Sequence, residues 1–109
     1  MENVTAQSYT LRTDTGSWLG QIVLTSDGMF SGVTDYGNFS FAWRSFGHNF
    51  KEFMSVIGTD YFATKMATGM AYVVYGKKID KACERFAKEI LPPLQKVLKE
   101  ELENELTVS

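Results

Sequence analysis

The fold is decided by one stretch of the sequence, Val33-Thr-Asp-Tyr-Gly-Asn-Phe-Ser-Phe-Ala-Trp-Arg44. Its centre, Asp35-Tyr36-Gly37-Asn38, is typical of a turn between two strands. After this turn, Phe39, Phe41 and Trp43 alternate with smaller residues, so that a strand would place the three aromatic rings on one buried face. The opposite, exposed face would carry Ser40, Ala42 and Arg44.

The chain before this stretch also alternates as strands do. We predict strands over residues 8–13, 18–25, 29–35 and 38–44, with residues 1–7 as a flexible start. The Asp27-Gly28 pair between apolar runs is a strong hairpin signal, and Gly16 suits a turn that needs a positive φ. Because each connection is short, the four strands should form an antiparallel meander over residues 8–45.

Helical periodicity begins after Gly47 and continues through residues 48–109. Asn49 is a good N-cap for a first helix that ends at Gly58, and a second helix should run from Thr59 or Asp60 to about Gly69. Residues 70–75 fit either a strand or a buried helix, and we favour a helix. A third helix should break or kink at Pro92-Pro93, with a new helix starting there. The prediction is one α+β domain with three to four helices on one sheet face.

Composition excludes several classes of protein. The chain has 109 residues, a formal net charge of −2 and one cysteine, so it needs no second domain, has no general attraction to polyanions and cannot form an internal disulfide. We find no signal peptide and no membrane-spanning stretch, and we expect no membrane association. The single cysteine fits a reducing cytoplasm.

No set of residues predicts catalysis, a cofactor or a metal. His48 is the one histidine, and it stands at a loop-to-helix junction without a nucleophile, where a surface or capping role is expected. Cys83 falls on an apolar helical stripe and should be buried. The carboxylates near the C-terminus lack a His or Cys partner at ligand spacing, and should form a solvated face. We therefore predict that the protein is not an enzyme.

Two sets of residues are candidates for partner binding. The first set is the aromatic turn with its strand, because Tyr and Arg are favoured at interfaces; its members are Asp35, Tyr36, Asn38 and Arg44. The second is a basic face of the third helix that could meet phosphates or an acidic protein. It consists of Lys77, Lys81, Arg85 and Lys88, with interleaved acids that allow ion pairs such as Glu84–Lys88.

The helix after the prolines carries an apolar stripe that consists of Leu94, Leu98, Leu102 and Leu106. If it packs on its own sheet, it completes the core. If it stays exposed, Leu94, Leu98 and Leu102 could form a homodimer or dock into a partner. Sequence leaves both alternatives open.

A family resemblance adds the biological setting. The run Gly32–Trp43, followed by Phe50-Lys-Glu-Phe53 and Asp60-Tyr61, resembles a segment of small accessory proteins encoded by bacteriophages and prophages. The resemblance covers residues 8–68. Phe39 and Phe41 stand where tyrosine is common in that group, which predicts a drier sheet face. It implies a bacterial host cytoplasm and carries no catalytic role.

Together these observations give a functional hypothesis with an alternative. By analogy with small phage accessory proteins, we expect stoichiometric binding of a host bacterial protein, such as inhibition of an antiviral defence system like CRISPR. The alternative is a nucleic-acid-associated phage factor that uses the basic face from Lys77 to Lys88.

Overall fold

The computed structural model describes residues 3–70 and 77–108 and has the predicted α+β layout. The strands are β1 (Ala6–Arg12), β2 (Trp18–Thr25), β3 (Met29–Thr34) and β4 (Gly37–Ala42), and the helices are α1 (Phe50–Val56), α2 (Thr59–Met70) and α3 (Lys77–Val108). The sheet is an antiparallel meander in the order β1-β2-β3-β4. The prediction of a helix over residues 70–75 concerns, beyond Met70, residues outside the described part of the chain.

Local signals place the turns and the first helix where the sequence predicts them. Gly16 and Gly28 both adopt the positive φ that a glycine tolerates, 91° and 99°. Asn49 caps α1 by accepting a hydrogen bond from the N–H of Glu52 at 3.2 Å. The first strand begins earlier than the predicted residue 8, because β1 starts at Ala6 and the N–H of Thr5 donates to Ser26 Oγ at 3.0 Å.

The helices cover one face of the sheet. Its buried rows run across the strands, and one of them joins Tyr9, Ile22, Gly32 and Phe39. None of the described helices covers the opposite face, which is built mainly from small side chains; one of its rows joins Ser8, Val23, Ser31 and Ser40. The strand phase is therefore as predicted, with Ser40, Ala42 and Arg44 exposed.

Gly32 lets helix α3 approach the sheet closely. A Cβ added to Gly32 would lie 2.7 Å from Cζ of Phe86, a separation that real structures do not tolerate. Without that Cβ, the Phe86 ring stacks on Phe39 with ring centroids 4.1 Å apart and also contacts Phe30 and Phe62. The glycine thus forms the floor of a socket for the central aromatic residue of α3.

Helix α3 continues through Pro92 and Pro93, so the predicted break with a new helix is wrong. Apolar packing on both sides of the prolines outweighs the hydrogen bonds that they remove: Ile90, Leu91 and Leu94 have no exposed surface. Pro92 itself is exposed. Lys88, whose carbonyl loses its helical donor at Pro92, is exposed as well, so that water can reach this side of the helix.

The apolar stripe of α3 packs within its own chain. Leu94 and Leu98 are 0% exposed and belong to the core, and Leu102 is half-buried. Leu94 and Leu98 are therefore not available for self-association, and the first of the two alternatives, packing on the protein's own sheet, is the one that the structure shows. Leu106, at 79% exposure, lies beyond the part of the stripe that reaches the core.

Candidate interaction surface

The structure brings the aromatic turn and the basic face of α3 together. The guanidinium of Arg85 lies over the ring of Tyr36, with its Cζ 3.9 Å from the ring centroid. Tyr36 Oη donates a hydrogen bond to Glu89 Oε2 at 3.0 Å, and Arg85 Nε donates to Glu89 Oε1, also at 3.0 Å. The three side chains therefore form a closed cluster, which we call the Tyr36–Arg85 cluster.

The turn is held in place by Thr34, a residue that the sequence did not single out. Thr34 is buried, and its Oγ1 donates to the carbonyl of Gly37 at 2.9 Å and accepts from the N–H of Tyr36 at 3.3 Å. The Tyr36 ring also meets Phe39 edge-on, with centroids 6.1 Å apart. These contacts fix Tyr36 from the sheet side, while Arg85 and Glu89 fix it from the helix side.

The electrostatics of the cluster favour a neutral tyrosine and a charged arginine. Burial, together with the hydrogen bond to Glu89, raises the pKa of Tyr36 to about 12. The hydrogen bond to Glu89 also raises the pKa of Arg85 above its usual value. Near neutral pH, Tyr36 therefore stays neutral and Arg85 stays charged.

Arg85 can still bind an acidic group. Its Nε is used by Glu89, and within residues 3–70 and 77–108 the two terminal nitrogens have no partner. The side chain is 59% exposed. A guanidinium that is already oriented can bind a carboxylate or phosphate in two-pronged fashion with little loss of side-chain entropy.

The other predicted residues are divided between this surface and other places. Asp35 and Asn38 are exposed on either side of Tyr36, and Lys81 and Lys88 are exposed on α3. The ion pair on this face joins Arg85 to Glu89 rather than Glu84 to Lys88. The side chain of Lys77 lies outside the described part of the chain. Arg44 is exposed but lies beyond the other end of β4, a strand that is itself roughly 17 Å long.

A second polar cluster ties the C-terminal part of α3 to β1 and α1. Lys51 Nζ lies 2.9 Å from Glu101 Oε2 and 2.7 Å from Glu105 Oε1. Tyr9 Oη lies 3.0 Å from the same Glu101 oxygen. The interpretation of these carboxylates as merely solvated is therefore wrong for Glu101 and Glu105, which form a clip between elements far apart in sequence.

Gln95 makes a further link that the sequence did not reveal. Its side-chain amide donates to the carbonyls of Met54 and Ile57 at 3.0 and 2.8 Å. These carbonyls are at the end of α1, where the last carbonyl groups of a helix have no N–H partner within the helix. Gln95 therefore caps α1 from α3, and only the packing of the two helices makes this possible.

Of the residues considered for catalysis, His48 lies at the surface and Cys83 lies in the core. The His48 side chain is 92% exposed, and its Nε2 lies 3.6 Å from Glu52 Oε2. It borders a cavity of about 250 Å³ whose other charged lining residue is Lys51. Cys83 is buried as predicted, and burial raises the pKa of its thiol. In the described residues, no group of three or more His, Cys, Asp or Glu side chains is placed to hold a metal ion.

The fold and this surface define a small α+β protein with an exposed, preorganised arginine on its surface. A family model described as a phage family, Phage_phiTE_072, matches residues 1–84, and the chain belongs to that family. No significant match to a curated protein or to a solved structure was found. Among the described residues, no helix is both long enough and apolar enough to cross a membrane.

Proposed function

We propose that this phage protein works by binding a host bacterial protein stoichiometrically in the host cytoplasm. The observation that carries the proposal is the Tyr36–Arg85 cluster, in which an exposed arginine is held by a turn, a helix and a carboxylate. Arginine and tyrosine anchors that are rigid before binding are typical of protein interfaces. The sharpest form of the proposal is inhibition of an antiviral defence system such as CRISPR.

The cluster fits a binding role because it leaves part of the arginine side chain without a hydrogen-bond partner. Glu89 accepts from both Tyr36 and Arg85, but among the described residues the terminal guanidinium nitrogens have no partner. A partner carboxylate could pair with these nitrogens without displacing Glu89. Such a bond would be charge-assisted and geometrically specific.

The test is capture of a host protein with tagged phage protein from bacterial lysate, after nuclease treatment. We expect near-stoichiometric recovery of one host protein, and loss of that protein with Arg85→Glu. Arg12→Glu is the matched control, because Arg12 is an exposed arginine on β1 that binds only the carbonyl of Gly16 at 3.1 Å. Recovery that is equal for the wild type and for Arg85→Glu would contradict the proposal.

The same variants test the defence hypothesis in cells. Expression of the wild-type protein should restore phage plating on a host with an active defence system, and Arg85→Glu should abolish this effect while Arg12→Glu retains it. Arg44→Glu tests whether the binding surface reaches the far end of β4. Since Arg44 is exposed, this reversal should leave folding intact, which circular dichroism would check.

A nucleic-acid-associated role is the second candidate. It is favoured by the exposed side chains of Lys81 and Lys88, neither of which has an ion-pair partner in the described part of the chain. Binding to duplex DNA or RNA that falls steeply with added salt would support this role. Capture of the host protein that survives nuclease and moderate salt would favour the first proposal.

A further inference from the structure

The continuity of α3 has a consequence for its surface charge. Because one helix runs through Pro92 and Pro93, cations on both sides of the prolines share a single helical frame. At about 100° per residue, five cations fall within an arc of roughly 80° on one side of the helix. This α3 cationic row consists of Lys81, Arg85, Lys88, Lys96 and Lys99.

All five side chains of the row are exposed. Arg85 pairs with Glu89, and the four lysines have no ion-pair partner among the described residues. Two lysines outside the row are engaged: Lys51 binds two carboxylates, and Lys65 lies over the rings of Phe41 and Tyr61. The row therefore carries unneutralised charge over about 27 Å, since its ends are separated by roughly 18 residues of helix at 1.5 Å each.

We propose that the α3 cationic row binds an elongated acidic surface on the protein partner, such as one side of an acidic helix. This inference rests on the proposed function and extends it from the Tyr36–Arg85 cluster to both sides of the prolines. A row of cations along one side of a helix, four of them without an ion-pair partner among the described residues, is complementary to a row of carboxylates, and such complementarity steers association and fixes orientation.

The surroundings of the row favour a protein over a nucleic acid. Glu84 is exposed along one border of the row, and Glu89 and Glu100 lie along the other. A continuous polyanion would be repelled by these carboxylates, whereas a protein surface of mixed charge can place basic groups opposite them. Tyr36 lies beneath Arg85, so its ring face is not available for stacking on a base.

The test compares reversals at the two ends of the row. The distal variant is Lys96→Glu with Lys99→Glu, and the proximal variant is Lys81→Glu with Lys88→Glu. The control is Arg12→Glu with Thr10→Glu and Ser31→Glu, which changes the net charge equally at exposed sites of the sheet outside the row. Circular dichroism confirms that each variant is folded before binding is measured.

Two probes are used for each variant: the captured host protein, and a fluorescent helical peptide with glutamates along one side. At low salt, we expect the distal variant to slow association with both probes about tenfold or more, with a shallower salt dependence. The proximal variant should behave in the same way, and the control should match the wild type.

The outcomes separate this inference from the proposed function. If the distal variant binds both probes like the wild type while Arg85→Glu loses the host protein, the proposal that the α3 cationic row binds an acidic surface is wrong, and the proposed function stands. If no host protein is captured, the proposed function fails, and the acidic peptide still tests the row. Tighter binding to duplex DNA of equal charge than to the acidic peptide would overturn the choice of a protein ligand.

Discussion

Trp43, the residue that follows β4, packs against aromatic rings from the sheet and from two helices. Its ring meets Phe41 from its own strand segment, Phe50 and Phe53 from α1, and Phe62 from α2. Its indole N–H donates to Tyr61 Oη at 3.0 Å, so the one polar atom of the buried side chain is satisfied. A single residue at the end of β4 therefore fixes the positions of two helices.

Trp43→Ala should lower the free energy of unfolding by about 3–5 kcal/mol, because it removes a large side chain from a closely packed core. Urea unfolding would measure this loss. Trp43→Phe is the companion variant, since it keeps a ring but removes the hydrogen bond to Tyr61, and its cost should be smaller. Near-neutral stability of Trp43→Ala would show that the ring does not organise the core.

Gly32→Ala should also destabilise the protein, by about 1–3 kcal/mol, because the new methyl group would overlap the Phe86 ring. Gly58→Ala is the matched control, since nothing lies within 4 Å of an added Cβ there. The unfolding free energies of Gly32→Ala, Phe86→Leu and the double variant would form a thermodynamic cycle. Strictly additive effects would contradict a direct clash between the two side chains.

In helix α3, tertiary packing outweighs the local tendency of proline to end a helix. Two adjacent prolines predict a helix break, yet the flanking residues Ile90, Leu91, Leu94 and Leu98 are fully buried on one continuous stripe. Pro92 and Lys88, the two residues of one missing hydrogen bond, are both exposed, so that the loss of this bond is less costly than it would be in the core. The helix is therefore maintained by its tertiary contacts rather than by its intrinsic propensity.

Pro92→Ala should stabilise the protein by roughly 2 kcal/mol, because it restores a helical hydrogen bond, and the greater entropy of the unfolded chain offsets part of the gain. The variant Lys96→Ala, also exposed on α3, is the control and should change stability by less than about 0.5 kcal/mol. Thermal or urea unfolding would compare them. A clear loss of stability in Pro92→Ala would mean that the core requires the proline geometry.

At the scale of the whole molecule, the Lys51 clip joins β1, α1 and the last part of α3. Burial and the hydrogen bond to Glu101 raise the pKa of Tyr9 to about 12. For Lys51, burial acts to lower the pKa, but hydrogen bonds to Glu105 and Glu101 outweigh it and the pKa is raised. Both groups therefore hold their protons more tightly in the folded state.

This linkage predicts alkaline sensitivity. Below the unfolded-state pKa of 10.0 for tyrosine, the contribution of Tyr9 to stability is fully present, and it is lost as the pH rises through about 12. Tyr9→Phe should accordingly show a shallower fall in unfolding free energy across this interval than the wild type. Tyrosinate absorbance of the folded protein provides the check, and titration of every tyrosine near its ordinary pKa would refute the assignment.

The sequence was sufficient for features set by neighbours in the chain. The Asp27-Gly28 turn, the phase of Phe39 and Phe41, and the Asn49 cap all depend on a few consecutive residues, and each is confirmed. Features set by distant residues were not predictable in this way. Tyr36 and Arg85 were singled out separately, but their contact depends on how α3 crosses the sheet, as does the capping of α1 by Gln95.

The hydrogen bond between Tyr9 and Glu101 joins residues 92 positions apart, and this separation determines when the protein can fold during synthesis. The four strands leave the ribosome before the helices, and α1 and α2 cover only part of their apolar face until α3 follows. Nascent chains that stop before α3 would expose the rest of that face and become substrates for chaperones or proteases. Synthesis of α3 is therefore the step that completes the core of this domain.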